Sequence, residues 1–199
     1  MRPKWAGKVW MTLLWVVLIG SGISWTARYD RTAGAAAAAP GDWPGASRLP
    51  LVDGQATLLM FLHPRCPCSR ASLHELAALI EHRHIPVTTF IIEVSPPGAP
   101  QNWARTELKR LASTIPGAMT LIDNGGYEAS TFDSKTSGDV FFYSAERRLL
   151  FQGGITPSRG HEGESPGAEA LARILNGAMT TDSKAAVFGC PLLATRTVK

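Results

Sequence analysis

Residues 57–70 read TLLMFLHPRCPCSR, and the order of types in this stretch decides the fold. Thr57 to Leu62 is an unbroken apolar run, short enough for a strand and continuous enough to be buried on both faces. His63-Pro64-Arg65 then turns the chain, because proline fixes its own φ and restricts the residue before it. Beyond the turn the apolar period changes. Leu73, Leu76, Ala77 and Ile80 recur at i, i+3, i+4 and i+7, the stripe of an amphipathic helix. A buried strand therefore runs through a turn into a helix, with Cys66 and Cys68 at the junction.

The rest of the domain follows outward from this unit. Pro86 to Val94 (PVTTFIIEV) is rich in β-branched residues and predicts a second strand. Asn102 is expected to cap a helix running to about Ser113, and Met119 to Ile122 predicts a third strand. Val140 to Tyr143 and Leu149 to Gln152 flank Ser144-Ala145-Glu146-Arg147-Arg148 and read as a hairpin, and Pro166 to Leu175 makes a last helix. Strands alternating with helices, then a hairpin, predict an α/β domain with a mixed central sheet flanked by helices, spanning 49–177. The tail, 178–199, is Thr/Ser-rich except for the apolar island Val187-Phe188-Gly189-Cys190-Pro191-Leu192-Leu193. Docking of that island on the domain would bring Cys190 towards the other two cysteines.

Before the domain lies an arm of different character. Residues 9–27 (VWMTLLWVVLIGSGISWTA) carry no charge and are just long enough for a transmembrane helix. Trp5, Trp10 and Trp25 mark its ends, where indole rings favour the headgroup region. Arg2, Lys4 and Lys8 precede it, so the positive-inside rule puts residues 1–8 in the cytoplasm and the domain outside the cytoplasmic membrane, in the periplasm. A cleaved signal peptide is the competing reading, but the apolar run exceeds a usual h-region. Residues 28–48, rich in Ala, Gly and Pro, read as a linker. The net charge of +4 resides wholly in the first 48 residues, with six basic and two acidic side chains; the remainder is balanced, which argues against a nucleic-acid partner.

Three cysteines cannot all pair within one chain, and their number does not describe a disulfide-stapled scaffold. Pro67 suits the first position of a helix, which predicts Cys66 as its N-cap, the sulfur accepting from the N–H of Cys68 or Ser69. The helix dipole with Arg65 and Arg70 then favours thiolate, the nucleophilic form. Cys66 and Cys68 are close enough to form a strained, easily reduced disulfide; Cys66 with Cys190 is the other pairing, and both stay open. Ser69 reads only as helix-terminal polarity.

Two thiolates one residue apart also suit a soft ion such as Cu(I), with Cys190, His63 or His161 as further ligand. His63 otherwise serves as a hydrogen-bonded turn residue, and His161 as an exposed loop histidine. His74, His82 and His84 read as surface residues. No second Cys pair supports a closed zinc site, and P-loop and dinucleotide fingerprints are missing.

The run Phe61-Leu62-His63-Pro64-Arg65-Cys66 resembles the strand-to-active-site turn of the thioredoxin-like superfamily, with Cys66 in the nucleophile's place. More narrowly, His63 to Ser72, Gly153-Gly154-Ile155-Thr156-Pro157, Arg159-Gly160-His161-Glu162 and Phe188-Gly189-Cys190-Pro191 are similar to the RedB-type branch of bacterial thioredoxin-like proteins. The resemblance implies a thioredoxin-like fold behind the transmembrane helix, and thiol–disulfide exchange with a redox partner or disulfide-bearing substrate protein. Two departures stand out. Ser69, not a cysteine, lies three after Cys66, and Thr136-Ser137-Gly138-Asp139 occupies the loop where superfamily members carry a cis-proline, at about Gly138, that holds the substrate chain.

The expected function is thus a membrane-anchored thiol–disulfide oxidoreductase without a bound redox cofactor. Cys66 attacks, and Cys68 or Cys190 resolves. The alternatives are a copper-binding module without turnover and a thiol peroxidase with Cys66 as the peroxidatic residue.

Overall fold

Burial of β1, Ala56–Leu62, is complete at all of its positions, as its continuous apolar run requires. The computed structural model describes residues 4–100, 102–103, 107–178 and 183–193. The chain divides into two units, 1–32 and 33–199. The first is α1, Lys4–Asp30, which extends the predicted apolar run at both ends. Its Lys8–Asp30 portion has mean hydropathy 1.6 and is long and apolar enough to cross a membrane.

In the second unit β1 pairs in parallel with β2, Val87–Ser95, which in turn pairs in parallel with β3, Ala118–Asn124. On its other side β1 meets β4, Asp139–Tyr143, antiparallel; β4 forms the expected hairpin with β5, Leu149–Gly153. The two-residue β6, Ser183–Lys184, closes the order β3-β2-β1-β4-β5-β6. Alternation along β1 divides the core. Leu58, Met60 and Leu62 pack with Leu73, Leu76 and Ile80 of α2, Ser69–Glu81, and with Leu171 of α5, Pro166–Leu175. Leu59 and Phe61 face the opposite way, among Phe90, Phe132, Phe141 and Tyr143. Helix α5 starts as a good N-cap predicts: Ser165 Oγ accepts from Ala168 N–H at 3.1 Å and Pro166 takes the first turn. The fold is thioredoxin-like, a mixed sheet between helices with the strand-to-helix junction at the end of the central strand.

Some elements differ from expectation. Helix α3 covers Glu107–Ala112, and Asn102 lies in a turn instead of capping a helix; residues 104–106 of that expectation lie outside the described residues. Helix α4, Tyr127–Thr131, is too short for its period to register in sequence. From Ala33 onward, the segment expected as a linker lies against the domain. Tyr143 Oη donates to Pro40 O at 2.9 Å, Gln152 Nε2 to Ala37 O at 2.8 Å, and Arg48 N–H to Glu128 Oε1 at 2.8 Å. The reason is the aromatic face of the sheet, which no long helix covers. Ala37, Ala39 and the Trp43 ring cover it, with Trp43 edge-on to Phe132 at 5.0 Å and to Tyr143 at 5.2 Å.

Candidate functional site

Two loops and the tail meet at the end of β1. His63 N–H donates to Ser137 Oγ at 2.8 Å, and the turn that follows is closed by Arg65 N–H on His63 Nδ1 at 3.1 Å and Cys66 N–H on His63 O at 3.0 Å. Cys66 is not the N-cap that Pro67 predicted. Its carbonyl accepts from Ser69 N–H at 3.1 Å, so a tight turn over 66–69 precedes the helix, and Cys68 takes the cap position with no side-chain cap bond. The three cysteines are reduced, and Cys66 is only 1% exposed. Cys66 borders a groove of about 310 Å³ together with Pro64, Arg65, Pro67, Arg70, Glu107 and Leu108.

Facing the turn is the loop 134–139. At the place expected for a cis-proline, Gly138 has φ +92°, a left-handed value proline cannot adopt, and its N–H donates to Phe61 O at 2.8 Å, where the β1–β4 pairing begins. Ser137 Oγ lies 2.8 Å from Ser69 Oγ, both hydroxyls buried. Against this loop lies the tail. Ser137 N–H donates to Cys190 O at 2.8 Å, Leu192 N–H donates to Lys135 O at 2.9 Å, and Thr136 and Pro191 form an antiparallel bridge. Arg159 donates to Gly189 O, and Val187 and Leu192 are buried. The docking expected of the apolar island is observed, and it sets Cys190 against Cys66.

The electrostatics of the pair follow from this contact. Burial raises the Cys66 thiol, but it is outweighed by donors that stabilise the thiolate: the Cys190 thiol and N–H, the Cys68 N–H and the Ser69 hydroxyl. The net direction for Cys66 is down. Cys190 is pushed up to about 12, first by burial and then by its hydrogen bond to Cys66 and the nearby Cys66 and Cys68 charges, with Arg159 opposing. The opposite directions make Cys66 the more readily deprotonated of the two thiols. This is charge separation by asymmetry of environment, the condition for one thiol to attack and the other to wait.

The structure joins Cys66 and Cys190 and keeps Cys68 beside them as a backbone donor to the Cys66 sulfur. His63 is held in the turn, its ring edge-on to Trp103 at 6.2 Å, and burial, followed by the Arg65 charge, lowers its pKa. Arg65 stacks over Trp103 at 3.7 Å, and Arg70 pairs with Glu107 at 2.8 Å. His161 is exposed and its Nδ1 lies 2.8 Å from Arg159 O. Among the described residues no three His, Cys, Asp or Glu side chains converge as a metal site. Sequence reasoning missed Ser69 and Ser137, whose roles come from a contact across 68 residues, and Arg159, which reaches the tail. The serine in place of a proline-containing loop was the available signal for Ser137. A further buried acid, Glu93 at the end of β2, is 1% exposed with neither carboxylate oxygen hydrogen-bonded; burial raises its pKa to about 7 against the attraction of Lys109.

No protein-family model matches the chain, and no curated protein matches it. Solved structures do. An uncharacterized conserved protein from Geobacillus kaustophilus aligns at 19% identity over 84% of this chain and 95% of that one, TM-score 0.55. A hypothetical protein from Sinorhizobium meliloti 1021 aligns at 22% identity over 81% and 93%, TM-score 0.52. A secreted Mycobacterium tuberculosis disulfide oxidoreductase homologous to E. coli DsbE aligns at 16% identity over 62% and 81%, TM-score 0.43. For the first two, at these identities, the likeness is one of fold.

Proposed function

We propose that this chain is a membrane-anchored thiol–disulfide oxidoreductase of the RedB type, with Cys66 as the attacking thiolate and Cys190 as the resolving thiol. The observation that carries the reading is the Cys190 thiol hydrogen-bonded to the Cys66 sulfur from a tail seated beside it. Cys66 attacks one sulfur of a substrate disulfide; that bond breaks, and the other substrate sulfur leaves as thiolate. Cys190, losing its proton to solvent, then attacks the Cys66 sulfur and expels the second substrate thiolate. The substrate gains two electrons and the chain keeps a Cys66–Cys190 disulfide, which a dithiol partner protein reduces. Cys68 positions the nucleophile through its N–H. The charge-free run of α1, preceded by Arg2, Lys4 and Lys8, supports a single pass through the cytoplasmic membrane with the domain in the periplasm.

An aromatic disulfide reagent tests the scheme. Given one equivalent of reagent, the reduced chain is expected to release two equivalents of aromatic thiolate and retain none, as Cys66 attacks, Cys190 resolves and Cys68 stays a thiol. Cys190→Ser is expected to keep the aromatic group on Cys66. Release of the second equivalent by Cys190→Ser at the parent rate would transfer the resolving role to Cys68.

A further inference from the structure

With the tail seated, Cys66 borders the groove of Pro64, Arg65 and Leu108 but is only 1% exposed. The Cys190 thiol against its sulfur crowds the line of approach that a third sulfur needs in thiol–disulfide exchange. If the exchange reading above holds, the tail must lift before each attack. We propose that residues 189–192 are a displaceable strap on the substrate-docking edge, and that the substrate is an extended protein segment that takes the strap's place with its disulfide cysteine where Cys190 sits and a glycine just before it.

The strap's own contacts define what replaces it. It is held through main-chain groups, Ser137 N–H to the carbonyl of the cysteine position and the N–H two residues later to Lys135 O, with an antiparallel bridge between them. Such groups are indifferent to side-chain identity, and once the strap lifts they are an unpaired edge beside the nucleophile, the usual template for adding an extended strand. Selectivity comes from two places. At Gly189 a Cβ would overlap the carbonyl oxygen of Ser137 and lie 2.9 Å from its carbonyl carbon, both rigid backbone, so a side chain before the cysteine is excluded. Two residues after the cysteine, the 2% exposed Leu192 side chain packs with the aromatic face, which asks for an apolar residue. The Arg159 guanidinium takes the carbonyl of the glycine position. The recognised pattern is Gly-Cys-x-apolar in extended conformation.

Competition for one edge also orders the reaction. The substrate cysteine is joined to Cys66 only while the strap is out. When the strap re-docks it delivers Cys190 to the Cys66 sulfur and removes the main-chain bonds that held the substrate. Bond exchange and expulsion of product thus occur in one movement.

The test uses the full-length reduced chain in detergent and two synthetic peptides, AVFGCPLL and AVFVCPLL, each with its cysteine joined in a disulfide to thionitrobenzoate. Attack by Cys66 on the peptide sulfur breaks that bond and releases coloured thionitrobenzoate, and the Cys66–peptide adduct is trapped in Cys190→Ser and mapped by mass. Adduct formation is expected to be at least tenfold faster with the glycine peptide; equal rates would overturn the docking pattern. Separately, iodoacetamide labelling of Cys66 is expected to accelerate at least tenfold in Gly189→Val and several-fold in Arg159→Ala, with Cys68 labelling as internal reference. Unchanged labelling in Arg159→Ala, or in a folded Gly189→Val, would overturn the strap. Should either variant expose Cys66 to iodoacetamide while no disulfide, peptide or aromatic, ever forms an adduct there, it is the exchange reading that fails.

Discussion

Replacing Glu93 by Gln removes a charge that the fold has no means of solvating. Both carboxylate oxygens lie buried at the end of β2 without a hydrogen bond, and the pKa stands at about 7 against an ordinary 4.5. Between these values the folded chain holds a proton that the unfolded chain has lost. The stability this contributes is therefore complete below pH 4.5 and is lost as pH rises through 7. A rise of this size corresponds to on the order of 3 kcal/mol. Gln cannot ionise, so the variant escapes the loss but keeps a buried amide that needs partners, a cost of about 1–3 kcal/mol at every pH. Wild type is thus expected to be the more stable at pH 5 and to lose that lead, or fall behind, at pH 8. In urea, where a slope of about 2 kcal/mol/M suits a domain of this size, the difference between the two midpoints changes by roughly 1.5 M across the range. Asp139, also raised to about 7 by burial, titrates in both proteins and cancels in that difference. Urea unfolding at pH 5, 6, 7 and 8 measures it. A midpoint difference that does not vary with pH would refute a neutral, buried Glu93.

Ser69→Ala removes a hydroxyl that donates to the Cys66 sulfur, so the Cys66 pKa is expected to rise, read from ultraviolet thiolate absorbance or the pH profile of alkylation; an unchanged profile would remove Ser69 from the site. Trp43→Ala strips the sheet's aromatic face of its cover and is expected to cost about 3 kcal/mol in urea unfolding; a change near zero would return residues 33–48 to the status of a linker. Gly138→Pro imposes a negative φ where the chain needs +92° and deletes the N–H bonded to Phe61 O, so a loss of about 3 kcal/mol or more is expected, with no gain in exchange rate.

The strand, turn and helix of 57–81 were legible because burial on both faces writes an unbroken apolar run and burial on one side writes a helical period. Helix α5 was equally plain, with Ser165 and Pro166 as its start signal. Residues 33–48 were not. They cover the aromatic face with Ala37, Ala39 and a single Trp, outside any helix or strand, and such a segment has no period to distinguish it from a tether. At the site, Cys66 stood out from its place at the junction. The approach of Cys190 to Cys66 was one of two open possibilities, and the sequence could not choose between them because the approach depends on a main-chain bridge between Thr136 and Pro191 that leaves no mark on either segment's composition. The proline turn likewise suggested an N-cap at Cys66, two residues ahead of the true cap, since the sequence carries no sign of whether a helix's first turn is tight.

The most direct test of the account equilibrates the chain in buffers of stepped redox potential, alkylates the remaining thiols and maps the cysteines by peptide mass. One reversible two-electron transition is expected, joining Cys66 to Cys190 and leaving Cys68 alkylated throughout. A Cys66–Cys68 disulfide, or three cysteines that stay reduced at every potential, would contradict it.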